Sequence, residues 1–437
     1  MKKTYFNLIL IASIALFSCS TSKKIGRMAK NDVLENEVFV SAHTGISIYE
    51  PATGKYWFNY QGNKYFVPAS NTKLPTCYAA MKYLGDSLTG IKYIETNDSL
   101  IVIAAGDPTF LHPDFPVQRA FDFLKNNDKP VSIKTSDWND ERWGSGWSWN
   151  DYSDDYAPER SAMPVYGNVL RLSGTLDNLE FLPGYFKKDV SINNDLDKNL
   201  YPGNVHRNMA ENNFFVTAAN PSKHYTETPF TTSDSLLASL LADTLRKAVS
   251  IHNADGYTKN INEKQLHSQP TDSMLRILMH RSDNFFAEQS LLMVSDKLLG
   301  VMNDDMIIDT LLKTDFKDLP QKPHWVDGSG LSHYNLFSPQ DFVAILNKIK
   351  NEFGMDRIKS ILATGGTGTI RSYYKADSGF IYAKTGTLSG VVALSGYLYT
   401  KKNKLLIFSV LINNHRTSST NIRKAVEKFI EEVRNKN

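Results

Sequence analysis

Among its 437 residues the chain has two cysteines, Cys19 and Cys77. So few exclude a disulfide framework and a cysteine-rich zinc site. The ten histidines are scattered and no HisGluXxxXxxHis occurs, which removes the local signature of a zinc peptidase. No metal or cofactor is expected. An excess of one charge is lacking too: 49 Lys and Arg face 46 Asp and Glu, and a net charge of +3 offers little attraction for a nucleic acid. Past the N-terminal stretch there is no run of about 18 apolar residues, so no membrane-spanning helix is expected. Fixed-period repeats and low-complexity tracts are absent.

What remains is the composition of an ordinary folded protein, 41% hydrophobic and 22% charged. At about 100 to 200 residues per domain, the length implies two domains or one domain with a large insertion. The start reads as a leader. Met1-Lys2-Lys3 precedes an almost wholly apolar stretch, YFNLILIASIALFS at 5–18, too short to span a bilayer and of secretory-signal form. Leu16-Phe17-Ser18-Cys19 resembles a bacterial lipobox, in which the cysteine is acylated and heads the mature chain. Removal of residues 1–18 would take Lys2 and Lys3 with it, two of the three excess positive charges. Residues 19–32, from the lipidated Cys19 through STSKKIGRMAKND, are polar and basic and predict a tether. With Cys19 under lipid, Cys77 has no second cysteine to bridge to and is expected to be a buried small apolar residue.

Both ends of the remaining chain contribute to one layer. VVALSGYLY (391–399) and LLIFSVLI (405–412), joined by Lys401-Lys402-Asn403-Lys404, predict a hairpin. Ile422, Val426, Phe429, Ile430 and Val433 form one helical stripe to pack on it. Residues 39–42 and 46–50 have strand character around His43-Thr44-Gly45. From about 90 to 265, short strand candidates such as 100–105 and 212–217 alternate with Asp, Asn and Gly turns and end in a helix candidate at 234–249, which predicts an inserted domain. Four of the six tryptophans, Trp138, Trp143, Trp147 and Trp149, fall there; a local core is expected, a stacking surface for sugar or peptide being the alternative. Helix candidates at 272–279 and 285–299 flank His280-Arg281-Ser282-Asp283-Asn284, and Ser338-Pro339 opens another to about 350.

A nucleophile is the best-supported chemistry. Ser70-Asn71-Thr72-Lys73 opens an apolar-periodic segment, and on a helix positions i and i+3 share a face, so Lys73 would stand one turn from the Ser70 hydroxyl as its base. The spacing alone is weak, since it also occurs at Ser20/Lys23 and Ser372/Lys375. Setting selects Ser70: Ser20 lies in the tether, and Ser372 is twelve residues before the one LysThrGly, Lys384-Thr385-Gly386. Of four SerXxxAsn triplets, only Ser282-Asp283-Asn284 lies in a short break between helices. Lys384 follows strand-like residues 379–383, where an edge can bind an extended peptide. Gly365-Gly366-Thr367-Gly368-Thr369 lacks the Lys of a phosphate loop and reads as a turn. Asp327 and Ser329 read as turn residues that could line a cleft.

SerXxxLys, SerAspAsn and LysThrGly in that order form the set of penicillin-binding proteins and class A β-lactamases. Finer context resembles the penicillin-binding protein 4 family of D-alanyl-D-alanine carboxypeptidases and endopeptidases: PASNTKLPT (68–76), GDPTF (106–110), YAPERSAM (156–163), HRSDNFFAEQ (280–289), VDGSGLSHYNLFSP (326–339) and AKTGTLSG (383–390). The resemblance implies an α/β (α+β) fold: a transpeptidase-like catalytic domain, with a central antiparallel sheet flanked by helices and a helical subdomain, at 33–88 and 268–437, interrupted by a large, mostly β insert at 89–267. It implies catalytic Ser70, Lys73 and Ser282, and substrate binding by Asn284, Lys384, Thr385 and Thr387. The backbone N–H groups of Ser70 and Thr387 would form the oxyanion hole. Peptidoglycan stem peptides would be the substrate, β-lactams the inhibitors, and the periplasm or cell envelope the location, with the membrane reached through the lipid. A β-lactamase and a non-catalytic penicillin-binding wall lipoprotein are the competing readings; the large insert disfavours the first and the complete residue set the second.

Overall fold

The computed structural model describes residues 22–135, 137–175, 178–192, 205–216, 226–252 and 263–437; the leader and Cys19 lie outside them. Two compact units divide the described residues. One draws on the described residues of Met1–Tyr78, Arg276–Ser282 and Leu311–Asn437, the other on those of Ala79–Leu275 and Asp283–Thr310.

The first unit is built on an antiparallel sheet of β1 (His43–Glu50), β2 (Lys55–Tyr60), β3 (Ile381–Leu388), β4 (Val391–Tyr399) and β5 (Leu405–Asn413), in the order β3-β4-β5-β1-β2. The expected hairpin is β4–β5, and both strands are buried on both faces, as their continuous apolar runs require. Three helices are central here: α1 (Lys73–Tyr83), α2 (Pro339–Ile361) and α3 (Ser419–Asn435). The α3 stripe of Ile422, Val426, Phe429, Ile430 and Val433 shares a core with Val392, Leu394 and Leu398 of β4. Tyr397 points to the opposite face, where its hydroxyl donates to Leu346 O of α2 at 2.7 Å. Ser338 and Asp341 cap α2 reciprocally, at 2.9 and 3.1 Å. The helix continues past the expected end near 350, across a break at Gly354 where φ is +75°.

Of the segment expected to be a tether, residues 22–32 are folded. Residues 22–29 are helical and continue through the π-helical turn Lys30–Leu34, with Ile25, Met28, Ala29 and Val33 buried in the same core as α3. Their spacing is helical; Lys23, Lys24, Arg27 and Lys30, which made the stretch read as a linker, lie on its exposed side. Residues 39–42 are not a strand either. The Asn36 side chain accepts from Val38 N at 3.1 Å and starts a 3-10 turn, Glu37–Phe39, so β1 begins at His43.

The second unit has a mixed sheet of Val249–Ile251, Val131–Lys134, Leu100–Ile103, Ser87–Glu95 and Lys264–Pro270, in that order, and two three-stranded sheets. Helix Asp234–Leu245 stops short of the expected 249 because Arg246 adopts φ +57°, and Val249 already belongs to a strand. Trp138 and Trp147 pack inward and Trp143 meets Trp147 edge-on at 5.3 Å, but Trp149 is 68% exposed. The compact units do not divide at 88/89 and 267/268. Helix Asn284–Leu299 belongs to the second unit, where Leu292 joins the core and Gln289 bridges two loops. Its Nε2 donates to Gly106 O (3.0 Å) and Ser161 O (2.9 Å), and its Oε1 accepts from Ser161 N (3.1 Å).

Arg160, 1% exposed, gathers three carboxylates beside that bridge: Asp140 at 2.9 Å, Glu288 at 3.5 Å, and Asp304. Burial raises the Asp140 carboxyl to about 6 from its ordinary 3.8, against the opposing pull of Arg160 and with help from Asp304. Arg160→Met strands these carboxylates and should cost about 3 to 5 kcal/mol at neutral pH. Asp140 holds its proton more tightly folded than unfolded, so the native state gains stability as pH falls below about 6. The penalty of the substitution should therefore shrink on acidification, which urea titrations at pH 7.5 and 5 would measure; an equal loss at both would contradict the charge origin.

Candidate active site

A 3-10 turn, Ala69–Thr72, runs directly into α1, so Ser70 and Lys73 lie one turn apart. Lys73 has no solvent exposure, and its Nζ lies 3.0 Å from Ser70 Oγ and 2.7 Å from Ser329 O. Ala69 takes a positive φ, +47°, a left-handed conformation that a non-glycine residue enters only when its surroundings hold it there. The loop of Asp327–Ser332 is one such support. The Asp327 carboxylate accepts from Gly330 N (2.8 Å), Ser332 N (2.6 Å) and Asn335 Nδ2 (2.8 Å), closing the loop. At Gly330 a Cβ would fall 1.9 Å from Ala69 O, so only glycine lets the loop approach. Asp327 therefore builds a turn, as expected, and the turn delivers the Ser329 carbonyl to Lys73, a contact that the sequence pattern did not single out.

The strand supplies the second amine. Lys384 sits within β3, not at a strand end, and pairs with Ser395 of β4. Ser395 Oγ accepts from Asn71 Nδ2 at 2.7 Å, tying the nucleophile turn to the sheet face that carries Lys384. Lys384 is also fully buried; its Nζ donates to Ser282 Oγ and to Thr385 O, both at 2.7 Å. Burial first, and then the charge of Lys73, push the Lys384 amine well below the usual lysine range. Ser282 ends a π-helical turn, Leu278–Ser282, at φ +63°. At Gly386 a Cβ would stand 2.7 Å from Pro68 O and 3.0 Å from Ser70 N, so β3 runs against the backbone amide of the serine.

The remaining expected residues are placed as follows. Thr385 Oγ1 donates to Thr369 Oγ1 at 2.8 Å, which gives the Gly365–Thr369 turn a place beside the strand. Thr387 Oγ1 accepts from the Arg423 guanidinium of α3. Asn284 opens its helix in the second unit and donates from Nδ2 to Tyr156 O at 2.8 Å. Cys77 is buried in α1. Among the described residues no group of three or more His, Cys, Asp or Glu could hold a metal, and no helix is long and apolar enough to cross a membrane.

A serine hydroxyl beside a lysine amine at a helix start, with a second lysine on the strand alongside, is the apparatus of active-serine acyl hydrolases of the penicillin-binding class. Residues 28–433 match the D-Ala-D-Ala carboxypeptidase 3 (S13) family of peptidases, and the chain belongs to it. It is 24% identical over 436 residues, 88% of this chain and 80% of the other, to a D-alanyl-D-alanine carboxypeptidase of Actinomadura sp. (strain R39). The crystal structure of penicillin binding protein 4 (dacB) from Haemophilus influenzae matches with a TM-score of 0.71 at 20% identity, covering 94% of this chain and 98% of that one. A predatory endopeptidase of Bdellovibrio bacteriovorus, in complex with an immunity protein, matches at 0.53 and 14% identity over 90% and 94%. These likenesses establish the fold, a penicillin-binding catalytic sheet with an additional domain.

Gly386→Ala tests the strand's approach to the serine. The new methyl must displace Pro68 O or Ser70 N, and misplacement of about 1 Å costs on the order of 100-fold in rate. We expect hydrolysis of a D-Ala-D-Ala peptide to fall by that order with the circular dichroism spectrum unchanged; wild-type turnover would mean that the close approach is unimportant.

Proposed function

We propose that this chain is a serine-type D-Ala-D-Ala carboxypeptidase of the cell envelope that cleaves peptidoglycan stem peptides through an acyl-serine on Ser70, acts also on peptide cross-links, and is acylated by penicillin at the same residue. The observation that carries this is the hydrogen-bonded pair of Ser70 and Lys73 at 3.0 Å, with Lys384 and Ser282 at 2.7 Å and the two lysines electrostatically coupled.

Ser70 Oγ attacks the carbonyl carbon of the penultimate D-Ala while neutral Lys73 takes the hydroxyl proton. The oxyanion is held by the backbone N–H groups of Ser70 and Thr387, a pairing supported by the close run of β3 against Ser70 N. The C–N bond then breaks, and Ser282 relays the proton from Lys73 to the departing amine. Water hydrolyses the ester and restores the serine. Asn284 is assigned to the substrate amide, and Lys384, Thr385 and Thr387 to its terminal carboxylate. In the resting site Lys384 is driven toward neutrality. A stem peptide brings a negative charge, which draws a proton onto Lys384; a charged Lys384 in turn disfavours charge on Lys73 and leaves it the electron pair a base requires. Selection for a free carboxyl terminus and activation of the base are then one event. The leader at 1–18 and the lipobox support acylation of Cys19 and an envelope location.

Ser70→Ala should abolish covalent labelling by fluorescent penicillin; a labelled band of normal intensity would refute the nucleophile. With wild type the label should persist for minutes, whereas rapid release would indicate a β-lactamase. Mass analysis of products from muropeptides should show loss of terminal D-Ala and cleaved cross-links. Lys384→Ala should weaken use of a D-Ala-D-Ala peptide, chiefly through the terminal carboxylate, and shift the acid limb of the penicillin acylation profile to higher pH, because a positive neighbour of Lys73 is gone. An unmoved limb would mean that the lysines do not share their charge.

A further inference from the structure

We propose that the end of the first unit from which its N-terminus emerges is a second membrane contact: a lysine cluster that binds anionic phospholipid headgroups and lays this end flat on the bilayer. The proposal rests on the reading that Cys19 carries lipid.

The N-terminal helix runs antiparallel to α3. Asp32 meets Lys428 at 2.8 Å, and the Lys24 ammonium reaches Lys436 O near the chain's last residue. The β4–β5 turn closes against the same end, with Lys401 N donating to Arg434 O at 3.0 Å and Lys402 N to Asn437 O at 3.3 Å. Three separate segments thus bring Lys23, Lys24, Lys401, Lys402, Lys404 and Lys436 together, all exposed. The carboxylates paired with them are Glu50, 3.1 Å from Lys404, and Glu432, against Lys436. Lys23, Lys401 and Lys402 face outward, and Lys24, though its ammonium is tied to Lys436 O, keeps an exposed positive charge.

The occupant follows from the length of chain before this helix. Only Ser20 and Thr21 separate Cys19 from residue 22, and three trans peptide steps span at most about 11 Å. With residues 22–34 folded against the core, nothing longer connects lipid to protein. The lysines are therefore held within roughly one Debye length of the headgroups, about 8 to 10 Å at ordinary ionic strength, where each contributes appreciably to binding an anionic surface. A long tether would have placed them where salt screens the attraction.

The test uses the processed, acylated protein carrying Asn403→Cys with a fluorophore, Cys77 being buried. It is bound to vesicles containing a headgroup-labelled quencher. Quenching should be at least twofold stronger on vesicles about one-third phosphatidylglycerol than on pure phosphatidylcholine. The difference should vanish at about 1 M salt, where the Debye length is about 3 Å. Replacing Lys23, Lys24, Lys401 and Lys402 by Gln should bring the anionic signal down to the neutral one while peptide hydrolysis is unchanged. Equal quenching on both vesicle types, or a Gln variant that keeps the difference, overturns the proposal. Failure to bind either vesicle, with no acyl mass on Cys19, overturns the lipid reading and this inference with it.

Discussion

Two lysine amines with no exposure to solvent share one small site, and charge on one opposes charge on the other. The surrounding structure can be understood as the means of holding that unfavourable pair beside a serine. Ser329 O accepts from Lys73, while Ser282 Oγ and Thr385 O accept from Lys384, so each amine is met by neutral oxygen. Oxygen dipoles keep the amines in place without cancelling the repulsion between them.

The second unit handles the opposite problem. One guanidinium, Arg160, is enclosed by three carboxylates, and burial keeps Asp140 partly reluctant to ionise. Arg160 and Glu288 lie in stretches that resemble the family, the ArgSer of YAPERSAM and the GluGln of HRSDNFFAEQ, whereas Asp140 and Asp304 lie outside them. In the structure these stretches are ties within one core, joined also by Gly106. Similarity to a catalytic family does not by itself make a motif residue catalytic; Gln289 and Arg160 are supports.

Local pattern carried a large part of this structure. The hairpin at 391–412, the stripe on α3 and the cap at Ser338 were readable because each depends on spacing within one segment. The pairing of Ser70 with Lys73 was readable for the same reason. The reach of Ser329 O to Lys73, of Asn71 to Ser395 and of Arg423 to Thr387 was not, since each joins residues that only folding brings together. The N-terminal helix reads as a linker because its lysines dominate composition, although Ile25, Met28, Ala29 and Val33 keep helical spacing. The helix expected at 285–299 runs from Asn284 to Leu299 and lies in the second unit, and Ser282-Asp283-Asn284 runs across the division between the units.

Cys77 is a buried thiol about two turns beyond Ser70 and forms no disulfide among the described residues. If Cys19 carries lipid as proposed, Cys77 is the other cysteine of the sequence and has none to bridge to. Oxidative folding machinery then has nothing to form here, and the catalytic unit should mature equally well in reducing and oxidising surroundings. A thiol reagent would report a single event, the opening of the helix that carries the nucleophile.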